Sequence, residues 1–93
     1  MESQDRVVVT VIGINRVGIV AKVATAVSEL NASILDISQT LMKDLFSMIM
    51  VIDISRSNLE FKFLREKLEK AGEDIGVKVI VSHENTFRYM HRV

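Results

Sequence analysis

The stretch Val7-Val8-Val9-Thr10-Val11-Ile12-Gly13-Ile14-Asn15-Arg16-Val17-Gly18-Ile19-Val20 contains the change of period that decides the fold. Its first six residues are β-branched at every position, with Asp5 and Arg6 before them and Gly13 after. Branching at Cβ stiffens the side chain and favours the pleated backbone, so this unbroken apolar run predicts a strand over Val7–Ile12 covered on both faces. From Ile19 the apolar positions become Ile19, Val23, Ala26, Val27 and Leu30, with Lys22, Thr25, Ser28 and Glu29 between them. That spacing predicts an amphipathic helix ending near Asn31. Asn15 is placed to cap it, because an amide oxygen can accept from a backbone N–H two or three residues on.

Downstream, Ser33–Met42 and Leu45–Ile54 are two extended runs around Lys43-Asp44. The second alternates Phe46, Met48, Met50, Ile52 and Ile54 at period two, so a hairpin is expected. Ser57-Asn58-Leu59-Glu60 has the form of a capping box and predicts a second helix starting at Ser57. Phe61, Leu64, Leu68 and Ala71 supply its apolar stripe, and Gly72 is its expected stop. Val77, Val79 and Val81 then alternate with Lys78 and Ser82 as a half-buried strand, and a short amphipathic tail with Phe87 and Met90 begins at His83. The order is βαββαβ plus a tail. Right-handed crossovers place both helices on one face of a four-stranded antiparallel sheet, an α+β ferredoxin-like sandwich with a short C-terminal helical tail. No proline, low-complexity run or internal repeat interrupts it, so residues 1–93 are expected to form one domain.

Composition narrows the class. The 93 residues are 48% hydrophobic but only 5% aromatic, too apolar for a disordered chain. A domain this small buries only about 60 to 65% of the surface its unfolded chain exposes, so the apolar surplus predicts a homodimer or higher homo-oligomer. Twelve basic residues balance twelve acidic ones, whereas a phosphate-backbone binder carries a basic excess; nucleic acid is not an expected partner. Without cysteine there is no disulfide framework, thiolate zinc site or Cys nucleophile, which fits a reducing cytoplasm. The start Met1-Glu2-Ser3-Gln4-Asp5-Arg6 is not a signal peptide, and the run Leu45–Ile54 is interrupted by Ser47 and Asp53 and too short to span a membrane.

The loop Gly13-Ile14-Asn15-Arg16-Val17-Gly18 is the candidate site. A helix N-terminus offers unpaired N–H groups to an anion, and a glycine permits close approach. Two roles are open for Asn15: ligand contact, or helix cap with the glycines serving the turn alone. The glycine spacing resembles a Walker A loop, but Ile19-Val20 stand where Lys-Ser/Thr would be needed, which excludes the nucleotide reading.

Asn15-Arg16-Val17-Gly18-Ile19-Val20, Asn31-Ala32-Ser33-Ile34-Leu35-Asp36-Ile37-Ser38-Gln39 and the Phe87–Met90 tail resemble the ACT domain, over nearly the whole chain. The chain is most similar to the small stand-alone ACT proteins of prokaryotes. The resemblance implies a non-enzymatic regulatory domain without cofactor or metal, whose small-molecule effector, an amino acid or similar small anion, sits between two domains. It further implies a regulated partner enzyme or regulator. By position in the motif, the ligand-binding residues are Gly13, Ile14, Asn15, Arg16, Val17 and Gly18 from one chain, with Ser33 and Ile34 from its partner. Val17 stands where the family often has proline, and Gly13 where serine-sensing members have a polar side chain. A zwitterion suits such a site: its carboxylate needs amide donors and its ammonium needs carbonyl or hydroxyl acceptors, with no bond to break. The competing class is a constitutive interaction domain without ligand.

Other chemistry is weaker. His83-Glu84-Asn85-Thr86-Phe87 is not a zinc helix motif, and His91 lies eight residues away. Asp36 and Asp53 have no evident catalytic partner. Phe46, Met48 and Met50 read as core packing. Lys62, Arg65, Lys67 and Lys70 are offset by Glu60, Glu66 and Glu69 on a solvated helix face. An acylphosphatase would need an Asn partner for Arg16, and an RNA-recognition sheet would need stacked aromatics beside Phe46; neither motif is present.

Overall fold

The computed structural model describes residues 5–90. The elements are β1 (Arg6–Ile14), α1 (Ile19–Glu29), β2 (Ser33–Met42), β3 (Leu45–Asp53), α2 (Phe61–Ile75), β4 (Lys78–His83) and α3 (Glu84–Met90). The sheet is antiparallel throughout in the order β2-β3-β1-β4. This is the expected ferredoxin-like sandwich. The two-residue connection Lys43-Asp44 closes the β2–β3 hairpin with Met42 opposite Leu45, and Lys43 takes a left-handed φ of 57°.

The core lies between the sheet and the two crossover helices. Val7, Val9 and Val11 of β1 and Phe46, Met48, Met50 and Ile52 of β3 point into it, meeting Ile19, Val23 and Val27 of α1 and Leu64 and Leu68 of α2. Period-two strands thus interlock with period-3.6 stripes, as the apolar spacing requires. The outer face of β1 departs from the double coverage expected for it. Val8 is buried, but Ile12 is 40% and Ile14 52% exposed. α3 packs against β1 and β4 at the Val8 end, where Glu84 meets Arg6, whereas Ile12 and Ile14 lie toward the other end of the strand.

Three helix boundaries differ from expectation. α1 is capped by Gly18 (φ 91°), with no side-chain cap, so Asn15 is not its N-cap. α2 starts after Glu60 and not at Ser57, because Ser57 is drawn into a turn: its N–H donates to the Ile54 carbonyl and its hydroxyl accepts from the Leu59 N–H. Gly72 does not end α2. It is buried within the helix where Val79 of β4 occupies the space a Cβ would need, and the left-handed stop is Gly76 (φ 79°).

Candidate functional site

Gly13 is the penultimate residue of β1 and faces Val77, the residue before β4. A Cβ there would approach Val77 to 2.8 Å at Cγ1 and 3.2 Å at Cα, so the position accommodates no side chain. Ile14 ends the strand, half exposed. The next residue is held by its backbone: the Asn15 N–H donates to the Asp44 carbonyl at 2.7 Å, which ties the loop to the β2–β3 turn. Arg16 lies against the far side, with its guanidinium beside Gly76 at the α2 C-terminus, where helix carbonyls favour a cation. Val17 is fully exposed at the loop apex. Gly18 turns the chain into α1, whose first turn contains no acidic residue and receives no side-chain cap, leaving first-turn amides open to an anion.

Gly13 to Gly18 are contiguous in the chain and exposed from Ile14 to Gly18, but Ser33 and Ile34 lie elsewhere. The register aligns Ser33 with Asp53 and Asp53 with Arg6 at one end of the sheet, and Met42 with Leu45 and Leu45 with Ile14 at the other. The eight steps from Arg6 to Ile14 separate the two halves by roughly 26 Å. Both are exposed; Ile34 is 41% and the following Leu35, at a β-bulge, 49% accessible. The neighbours Asp44, Gly76 and Val77 carry no motif in the sequence. Only counting the register from Ile14 to Leu45 would have located Asp44.

The other candidate groups have structural partners. The His83 ring stacks on Phe61, with centroids 4.1 Å apart. Among the described residues no group of three or more His, Cys, Asp or Glu side chains could hold a metal; His91 lies outside them. Asp36 accepts from the Ile37 N–H and Asp53 from the Ser55 N–H, each at 2.8 Å. Phe46, Met48 and Met50 are core. On α2, Arg65 faces Glu69 and Lys70 faces Asp74 one turn on. An open groove of about 610 Å³ between α1 and α2 is lined by Lys22, Glu29, Phe63, Lys67 and their neighbours, and includes none of the eight candidate residues. No helix of the described residues is long and apolar enough to cross a membrane.

Comparison with known proteins matches the ACT domain over residues 5–82. A UPF0237 protein of Methanocaldococcus jannaschii is 58% identical over 89 residues, which cover 96% of this chain and 99% of its own. An ACT domain protein from Streptococcus pneumoniae superposes with a TM-score of 0.78 at 34% identity, over 88% of this chain and 92% of that one. The ligand-free regulatory subunit of aspartate kinase from Thermus thermophilus gives a TM-score of 0.65 at 25% identity, over 85% of this chain and 51% of its own.

Proposed function

The chain belongs to the ACT domain family, and we propose that it is a non-enzymatic regulatory domain that binds an amino acid or similar small anion between two copies of itself. The observation that carries this reading is the division of the site. The loop Gly13–Gly18 and the Ser33–Ile34 segment stand at opposite ends of one sheet, and each is exposed. β2 is the edge strand beyond β3 and is exposed along all ten residues. Antiparallel pairing of two β2 edges brings the start of β2 in one chain to the loop end of the other. The loop then offers amide donors to the ligand carboxylate, while Asn15 and Ser33 offer oxygen acceptors to its ammonium.

Binding at such a cleft stabilises the dimer, and the coupling is reciprocal. The signal passes to a partner enzyme or regulator in the cytoplasm, a role in keeping with the regulatory subunit of aspartate kinase among the structural neighbours. Thermal unfolding across the twenty amino acids tests the reading. A ligand at a hundred times its Kd adds about 2.7 kcal/mol, enough to raise the Tm of a domain this size by roughly 10 to 20 °C. Asn15→Ala should abolish the shift and leave the ligand-free Tm unchanged, since Asn15 does not cap α1. A dimer that no amino acid stabilises would assign the chain to constitutive association instead.

A further inference from the structure

Resting on the two-chain reading just given, we infer that the two β2 edges pair in one register, with Gln39 on the two-fold axis opposite its own copy. The side chains of β2 divide by face. Ile34, Ile37, Gln39 and Leu41 align with the core residues Ile52, Met50, Met48 and Phe46 of β3 and so share the helix side, while Asp36, Ser38, Thr40 and Met42 lie on the outer side. Gln39 is therefore the polar member of an otherwise apolar row.

Two identical strands paired about a two-fold axis are self-complementary: where one residue faces a second, the second faces the first. Setting Gln39 on the axis places Ile37 opposite Leu41, Ser38 opposite Thr40 and Asp36 opposite Met42. Each helix-side pair then matches in polarity, and the two Gln39 amides, which carry both donors and acceptors, can bond each other. Moving the axis to Ser38 sets Gln39 opposite Ile37. Moving it to Thr40 sets Gln39 opposite Leu41 and Ile37 opposite Lys43, so either shift leaves an amide against an apolar side chain. The ends of the ladder agree with the Gln39 axis. The bulge at Leu35 interrupts the strand before Asp36, and the left-handed turn residue Lys43 ends it after Met42, so this register uses the whole regular run. It also brings Asp36 within one residue of Lys43 of the other copy, an opposite charge at each end. Past Asp36, Ser33 and Ile34 of one copy run alongside the Lys43-Asp44 turn of the other, where the Asp44 carbonyl accepts from the Asn15 N–H. The same register thus completes the divided site.

The chain contains no cysteine, so single substitutions report the register by disulfide formation. Directly opposed residues of an antiparallel pair have Cα atoms about 4.5 or 5.5 Å apart, within disulfide reach, whereas residues four positions out of register are roughly 14 Å apart. After mild oxidation, Gln39→Cys should run mostly as a covalent dimer on a non-reducing gel. Ile37→Cys and Leu41→Cys should each run as a single chain when alone, and crosslink when refolded together. Covalent dimer from Ser38→Cys or Thr40→Cys in place of Gln39→Cys would overturn the register and leave β2 pairing and the two-chain site standing. Absence of crosslinks at all five positions, in variants that light scattering shows to be dimeric, would remove the β2 contact and the two-chain reading together with this inference.

Discussion

Gly13 and Gly18 frame the same loop, but different forces select them. Gly18 is required by its backbone, since φ of 91° costs an L side chain about 1–2 kcal/mol, while the space around it is open, with Ile75 Cδ1 4.0 Å from where a Cβ would stand. Gly13 is required by its neighbour, Val77. Gly13→Ala should therefore destabilise the fold by about 1–3 kcal/mol in urea unfolding, the range for overpacking. Val77→Ala in that background should restore part of the loss, because it removes the nearest contact. The same rescue applied to Gly18→Ala should recover nothing. Asp53 shows a second residue-level effect. The Ser55 backbone N–H, then its hydroxyl, then the charges of Arg6 and Arg56 hold its carboxyl below the ordinary aspartate value. A depressed folded-state pKa gives stability that is present above the unfolded value, about 3.9, and lost as pH falls through the folded one. Wild type should thus exceed Asp53→Asn in stability at neutral pH, and the gap should close with acidification below that range. A gap that stayed constant with pH would show that the difference does not come from the ionised carboxylate.

At the scale of elements, α3 has only seven residues, too few to be helical on its own. Its attachment depends on Glu84, whose buried side chain lies 3.2 Å from Arg88 and 3.8 Å from Arg6, both substantially exposed. Removing the two arginines would leave a buried carboxylate without a countercharge, so Arg6→Ala/Arg88→Ala should cost about 1–3 kcal/mol, more than Glu84→Gln. Glu84→Gln added to that double variant should recover part of the loss, because it removes the unpaired charge. No recovery in the triple variant would mean the arginines act only through packing of their stems. This end of the sheet also marks a limit of the sequence reading. The period-two and period-3.6 patterns located every strand and both long helices because those patterns are the packing itself. Helix ends were less legible, because one residue type serves several local geometries. Ser57 is as suited to a turn as to a capping box, and Gly72 resembles a stop until Val79 of β4 is seen against it. The candidate loop could be read for the same reason as the strands: its glycines and polar residues interrupt a clear pattern. Its contacts with Asp44 and Gly76 could not, since these follow from register and crossover packing and not from any neighbouring residue in the chain.

For the whole molecule, the apolar excess of the composition acquires a position. The described chain is a slab of 38 × 34 × 19 Å, one sheet and one helix layer thick, so an edge strand has little around it to cover its side chains. On β2, Ile34, Leu35, Ile37, Leu41 and Met42 are 39–67% exposed, and Ile34, Ile37 and Leu41 share the core face of the sheet with Ile52, Met50 and Phe46 without being covered by the helices. A long, apolar, unpaired edge is a template for another strand, and the strand available in every solution of this protein is the β2 of a second copy. Light scattering at micromolar concentration should therefore give twice the chain mass. Lysine is the residue that natural edges use against pairing, so Ile37→Lys with Leu41→Lys should halve that mass while the far-UV spectrum is retained, since both side chains already reach solvent. Ligand stabilisation should disappear in the same variant although no residue of the loop has changed, because each half of the site then lacks its complement. A wild-type monomer would contradict both the edge contact and the division of the site between chains. A variant that stays dimeric and still responds to ligand would move the contact to the other exposed apolar surface, the outer sheet face around Ile12, Ile49 and Ile80.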